Sequence, residues 1–207
     1  PEQLYGRNEY RECIKHLCQK DEVLKKVIDE VGPCILKEKT DMFEYLLEAI
    51  LSQQLSVKAA QNIHSRLIAL FQGEAITPKR LLQLKTSKLK SAGVSSRKIE
   101  FLEDLATKVM TGNVDLRKLK DKTNEDVITD LCRVKGIGRW TAEMYLIFVL
   151  NRLDVFPEDD ISLINAIKKI YSLRKDTSLK KIREISNKWT PYRSIGCWYV
   201  WAYNRSS

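Results

Sequence analysis

The sequence predicts an all-α protein folded as an orthogonal helical bundle, and three observations carry that expectation. Apolar residues recur at three- and four-residue intervals along almost every segment, while no run alternates strictly enough between apolar and polar residues to form a sheet. The helices marked by this spacing are short, and helices below about 12–15 residues are marginal alone, so their apolar faces must pack on one another. The 207 residues contain eight glycines, five prolines and no low-complexity tract, which fits a compact chain with one sizeable core or two small ones.

Taken in order, Asp41-x-x-Glu44 has the form of a capping box and opens a helix through Leu46, Leu47, Ile50 and Leu51. A second helix follows Ser56 through Ala60, Ile63, Leu67 and Phe71, with Gly73 as its stop. Thr77-Pro78 opens a short helix that Gly93 interrupts, because proline suits the first helical position. Ser96 to Met110 forms another, with Ile99, Leu102, Ala106 and Val109 on one face and Gly112 beyond its end. Thr123 to Leu131 is the next helix. After Asp160 come a helix with Leu163, Ile164, Ile167 and Ile170, a basic one from Ser178 to Trp189, and a last one from Pro191 to Tyr203.

The run Leu131-Cys132-Arg133-Val134-Lys135-Gly136-Ile137-Gly138-Arg139-Trp140-Thr141-Ala142-Glu143 reads as two helices joined by a tight glycine hairpin, since helical spacing stops before Gly136 and resumes from Trp140 through Met144 to Leu150. Gly136 and Gly138 can take positive φ and leave the backbone bare, so that hairpin amides at the start of the second helix can point at an anion such as a phosphate. Ile137 is expected to plug the hairpin against its own helices. Further on stand Asp159 and Asp160, which by local pattern alone are helix N-caps.

The balance of 36 Lys+Arg against 27 Asp+Glu gives a net charge of +9, which with the hairpin favours a nucleic-acid partner. Cys13, Cys18, Cys34, Cys132 and Cys197 form no close pair, so neither a disulfide framework nor a zinc-ligand pattern is expected and a reducing compartment fits. No apolar run is long enough to span a bilayer, and the start Pro1-Glu2-Gln3-Leu4 has no signal-peptide character; a soluble, intracellular protein that does not engage membranes is expected.

The words Val134-Lys135-Gly136-Ile137-Gly138-Arg139-Trp140-Thr141-Ala142, with Asp160 standing 22 residues beyond Gly138, resemble the helix-hairpin-helix DNA glycosylase superfamily, most closely its alkylation-repair branch of the 3-methyladenine DNA glycosylase II type. The likeness runs from about Asp41 to Tyr203. It implies one glycosylase unit over residues 1–207 whose two helical lobes flank a cleft: residues 41–154, containing the hairpin at 127–150, and residues 1–40 plus 155–207. It also implies that Asp160 is the catalytic carboxylate, which leaves Asp159 as the expected helix cap. A carboxylate near C1′ stabilises the positive charge that develops on the deoxyribose as the base departs.

The resemblance extends to further positions. In the strand-cutting branch a lysine lies two residues after the second hairpin glycine; here Trp140 stands there, so water is the expected nucleophile and an abasic site the expected product. Lys135, Gly136, Ile137, Gly138 and Thr141 are the expected DNA contacts of the hairpin, and Gln53, Gln54 and Leu55 in the loop Ser52–Ser56 those of the wedge that fills the gap left by a flipped nucleotide. Gln54 replaces an apolar wedge residue of the relatives. His64, on the helix that follows, is a further DNA-contact candidate. Trp201 falls on the pocket tryptophan, where a ring suits a cationic methylated purine; Trp140, Met144, Tyr145, Phe43, Tyr45 and Ile161 are the other lining candidates, with Met144 in place of an aromatic. Trp189 and Trp198 are assigned to the core.

The carbonyls of Cys132, Val134 and Ile137 match a monovalent cation site, for Na+ or K+, while the four-cysteine iron-sulfur cluster of some relatives is not expected and no other cofactor is. The expected activity is excision of 3-methyladenine and 7-methylguanine from double-stranded DNA by a monomer in base excision repair, in the nucleus or alternatively a bacterial cytoplasm. Two other readings stand beside it: a non-catalytic hairpin protein that binds DNA or abasic sites, and a bifunctional glycosylase for oxidised bases.

Overall fold

The structure, a computed structural model, describes residues 10–36 and 41–206. The Pro1–Leu4 start considered above lies outside them. Among the described residues twelve α-helices make up the fold and no strand occurs. They are α1 (Arg11–Lys20), α2 (Glu22–Val31), α3 (Met42–Ser52), α4 (Val57–Ala69), α5 (Pro78–Gln83) and α6 (Thr86–Ser91). The second half contributes α7 (Ser96–Met110), α8 (Asn124–Cys132), α9 (Arg139–Phe148), α10 (Ile161–Ile170), α11 (Leu179–Ser186) and α12 (Arg193–Ser206). Among the described residues no helix is long and apolar enough to cross a membrane.

The starts of these helices follow from their caps. Asp41 accepts the Glu44 amide at 2.8 Å, Ser56 the Ala59 amide at 3.3 Å, Thr77 the Arg80 amide at 3.3 Å and Thr123 the Asp126 amide at 3.2 Å. Each satisfies an amide that the helix itself leaves without a partner, worth about 0.5–2 kcal/mol against alanine. Gly73, Gly93 and Gly112 stand at positive φ where chain direction changes, as their stop positions require. The basic segment expected from Ser178 to Trp189 is α11 followed by a 3₁₀ turn, Asn187–Trp189.

The chain divides into two compact units, Lys39–Leu150 and Pro1–Glu38 with Asn151–Ser207. In the central unit Leu46, Leu47 and Ile50 of α3, Leu67 of α4, Leu102 and Leu105 of α7, and Tyr145 and Leu146 of α9 are buried completely. Truncating any of these leucines to alanine removes about 2–5 kcal/mol, since packing closes over a cavity only in part. In the terminal unit Ile14, Leu17, Leu24, Leu163, Ile167, Ile195 and Tyr199 form the core.

A polar post organises that second unit. Asp21 caps α2 through the Val23 and Leu24 amides, both at 3.1 Å, while its other oxygen accepts the Tyr171 hydroxyl at 2.7 Å and the Trp189 indole N–H at 3.2 Å. Residues 151–154, which the sequence groups with the hairpin, are bonded into this unit instead. Tyr10 donates to Asn151 at 3.1 Å, the Ser194 hydroxyl to the Arg152 carbonyl at 2.6 Å, the Ser194 amide to the Leu153 carbonyl at 2.9 Å, and the Arg193 guanidinium to Asp154 at 2.7 Å.

Candidate active site

The hairpin between α8 and α9 is built around one obligatory glycine. Gly136 has φ +83°, and a Cβ there would overlap the ring of Phe101 on α7. The same ring carries the Arg97 guanidinium 5.5 Å from its centroid. The bare backbone of Gly136 is therefore filled by protein rather than left for an anion. Gly138 does not use the freedom of positive φ: its φ is −101°, an ordinary value, and it is the N-cap of α9 with open space where a Cβ would stand. The absence of a side chain at Gly138 is what exposes the start of α9, where the helix dipole favours an anion. Ile137 is buried, as a plug must be.

The charged groups of the hairpin are already engaged. The Lys135 ammonium lies 2.6 Å from Glu100, so the side chain expected to meet a DNA backbone is held by a carboxylate, and the Lys135 amide donates to Asp104 at 2.8 Å. Burial alone raises the Asp104 carboxyl, but hydrogen bonds from Lys108 and the Lys135 amide and the charges of both lysines hold it below the ordinary carboxylate range. Arg139 binds Glu125 through two nitrogens, at 2.7 and 3.1 Å, and reaches the buried Glu143 one turn along α9 at 3.1 Å. Thr141 is buried, which withdraws its hydroxyl from a phosphate.

The loop between α3 and α4 is held by three hydrogen bonds, two to α7 and one to the hairpin. The Lys98 ammonium of α7 donates to the carbonyls of Leu51 at 2.6 Å and Gln53 at 2.8 Å, and burial lowers its pKa. The Gln53 side chain donates to the Gly136 carbonyl at 2.6 Å. Gln54 sits at the tip with φ +56°, exposed, and Leu55 follows it, also exposed. A non-glycine residue at positive φ costs on the order of 1–2 kcal/mol, and Lys98 and Gln53 are the groups that maintain this conformation.

Tyr45, Glu48, His64, Trp140, Thr141 and Met144 line one cavity of about 440 Å³ within the central unit. Trp140 stands at its surface, 46% exposed. His64 turns inward rather than toward a DNA backbone: its Nε2 lies 3.2 Å from Glu48 and 3.7 Å from Glu44. Tyr145 is buried behind the cavity, edge-on to Tyr45 at 6.0 Å between ring centroids, so it supports the wall instead of forming it. Phe43 lines a different cavity, with Pro78, Val109 and Val114. Burial and the Glu48 charge push the Tyr45 phenol up.

In the terminal unit Asp160 is the N-cap of α10, its Oδ1 accepting the Leu163 amide at 2.8 Å. The expectation that Asp159 caps this helix is incorrect: Asp159 is exposed, and Asp160 alone sits at the position preceding the first helical residue. The cap fixes the carboxylate at a helix N-terminus and buries it to 9% exposure. Its charge, after burial itself, raises the thiol pKa of the fully buried Cys197. Ile161, next in sequence, is 76% exposed, and Trp201 is half-buried on α12. Trp189 and Trp198 are core residues. Of the hairpin carbonyls, that of Val134 accepts the Ile137 amide at 3.1 Å, which uses one of its two lone pairs.

Sequence reasoning missed Lys98, Phe101 and Asp104, whose roles depend on α7 packing beside the hairpin. It also missed Glu44 and Glu48 as partners of His64, although their one-turn spacing on α3 is readable.

Comparisons with known proteins agree with this architecture. The chain is 35% identical to DNA-3-methyladenine glycosylase 1 of Schizosaccharomyces pombe over 191 residues, covering 90% of this chain and 84% of the relative. A 3-methyladenine glycosidase structure from Bacillus halodurans superposes with a TM-score of 0.83 at 34% identity, covering 91% of this chain and 87% of that one. The S. pombe 3-methyladenine DNA glycosylase in complex with abasic DNA gives 0.80 at 34% identity, with 92% and 95% covered. Since residues 47–192, spanning the loop between α3 and α4, the hairpin and Asp160, match the HhH-GPD superfamily of base excision DNA repair proteins, the chain belongs to that family.

Proposed function

We propose that this protein is a monofunctional DNA glycosylase that excises alkylated purines, 3-methyladenine and 7-methylguanine among them, from double-stranded DNA and leaves an abasic site. The observation that carries this reading is Asp160, a buried carboxylate fixed by its own cap hydrogen bond 22 residues beyond Gly138 in a chain of this family. Its negative charge opposes the positive charge that builds on the sugar as the base leaves, a preorganised electrostatic contribution. A base methylated at N3 or N7 is cationic and departs readily, so no strong general acid is required.

The remaining roles belong to this proposal. The Gln54–Leu55 tip enters the space vacated by the flipped nucleotide. Trp201 stacks on the cationic base, with Trp140 and Met144 as further pocket walls. The open start of α9 at Gly138 receives a phosphate, and Lys135 joins it by exchanging its Glu100 partner for the phosphate. A monovalent cation held by the carbonyls of Cys132, Val134 and Ile137 would add positive charge at the hairpin facing the DNA backbone. The protein works as a monomer, and its lysine-rich composition suits the nucleus.

Incubation with methylated duplex DNA, followed by chromatography of the released bases, tests the reading. Methylpurine release by the parent protein and none by Asp160→Asn is expected. Binding without release refutes catalysis, and strand cleavage with a lysine adduct refutes the monofunctional assignment.

A further inference from the structure

We propose that Glu44, Glu48 and His64 form a divalent-metal site that clamps α3 to α4. This inference stands independently of the glycosylase reading. Glu44 and Glu48 lie one turn apart on α3 and present their carboxylates to the same side as His64 of α4. One ligand atom from each falls within 4.8 Å of the others.

The imidazole makes this more than an acidic cluster. His64 Nε2 is buried and makes no hydrogen bond, although carboxylate oxygens lie 3.2 and 3.7 Å away. An imidazolium is expected to donate a well-aligned hydrogen bond to one of them, and a neutral ring with its lone pair toward two carboxylates is repelled. A cation at the centre satisfies all three groups together. Around a tetrahedral ion with bonds of roughly 2.0–2.2 Å, neighbouring ligand atoms lie roughly 3.3–3.6 Å apart, and the 3.2 and 3.7 Å spacings fall just to either side of that range, within a shift of about 0.1 Å.

The donor set selects the metal class. One imidazole nitrogen with two carboxylates suits Zn²⁺, Co²⁺ or Mn²⁺, whereas Mg²⁺ and Ca²⁺ prefer all-oxygen sets. Three protein ligands leave a position for water on the side of the cavity that Glu48 and His64 line with Tyr45 and Trp140. The location gives the ion a task. The helices it would join are those that flank the loop from Gln53 to Ser56, so binding would stiffen the base of that loop.

Protein freed of metal with a chelator is titrated with Co²⁺, followed by visible absorption, and with Zn²⁺, followed by calorimetry. One equivalent per chain is expected, with ligand-field bands and no thiolate charge-transfer band, which sets the site apart from the exposed Cys132. His64→Ala and Glu48→Gln are each expected to weaken binding at least tenfold at unchanged helical circular dichroism. Because Glu48 is 41% exposed, its isosteric replacement serves if the histidine variant fails to fold. Non-stoichiometric uptake, thiolate bands, or binding by Glu48→Gln equal to that of the parent overturns the proposal.

Discussion

The side-chain amide of Gln53 donates to the carbonyl of Gly136 at 2.6 Å, so the loop that follows α3 and the hairpin that precedes α9 are joined by a direct bond across 83 residues of sequence. With Lys98 holding the Leu51 and Gln53 carbonyls, the exposed tip at Gln54 and Leu55 is presented on a fixed base. In the role proposed for this tip, entry into a base stack, such preorganisation leaves less ordering to be done on binding.

Asp160→Asn is expected to reduce base release by about 10²–10³-fold or more while DNA binding and melting temperature stay near the parent values. Asparagine caps a helix as well as aspartate does, so the substitution removes charge and keeps the cap. Asp159→Asn is expected to change neither quantity, given its exposure. Single-turnover assays beside thermal melts check both; full activity in Asp160→Asn refutes the assignment.

The two hairpin glycines should separate cleanly. Gly136→Val faces a positive φ, costing on the order of 1–2 kcal/mol, and an overlap with Phe101 in addition. It is expected to lower the urea midpoint markedly. Gly138→Ser meets no neighbour, has a φ that any residue adopts, and supplies a good N-cap. Its stability should hold while affinity for DNA falls, a result read by urea titration and fluorescence anisotropy.

Changing Gln54 to Gly together with Leu55→Ala removes the tip while relieving the positive φ at position 54. Excision from duplex DNA should slow, since unstacking a step costs a few kcal/mol that the tip no longer offsets. Excision from single strands should be unchanged. Equal slowing on both substrates would place the effect outside base flipping.

Trp140 stands at the position where the resemblance implies a lysine in the strand-cutting branch, so borohydride is expected to trap no covalent protein–DNA adduct during turnover, and the product should be an intact strand with an abasic site. Denaturing gels before and after alkali treatment distinguish the outcomes.

The Asp104 carboxyl, held below its ordinary value in the folded protein, contributes stability that is present above the unfolded value near 4 and is lost as pH falls through the lower folded value. Asp104→Asn should therefore be less stable than the parent at pH 7, with the gap narrowing at pH 3. A gap that widens on acidification contradicts the anchoring of the hairpin by Asp104.

Helix boundaries were most legible where a capping side chain marks them. Asp41, Ser56, Thr77 and Thr123 each cap the helix that local pattern predicts. Asp21 and Gly32 bracket α2 as cap and stop, yet an isolated aspartate and glycine mark a helix less distinctly than a capping box does. The site was legible in identity and not in orientation. His64 has the composition of a surface histidine, and only the packing of α4 on α3 turns it toward two glutamates. Lys135 likewise reads as a free cation until α7 brings Glu100 beside it. Asp160 and Asp159 are equivalent as caps by residue type; the register of α10 decides between them.

The post at Asp21 has a consequence for the order in which the protein assembles during synthesis. Its bonding partners Tyr171 and Trp189 leave the ribosome long after α2, as does Tyr199, whose hydroxyl donates to the Gly32 carbonyl at 3.1 Å. At ribosomal speeds of about 5–20 residues per second, the first two helices wait on the order of ten seconds or more for those partners. The central unit is continuous in sequence and has no such delay. It is expected to close first, leaving a nascent chain whose early helices expose apolar faces until the last segment arrives, an interval in which chaperone capture or proteolysis would fall on residues 10–36.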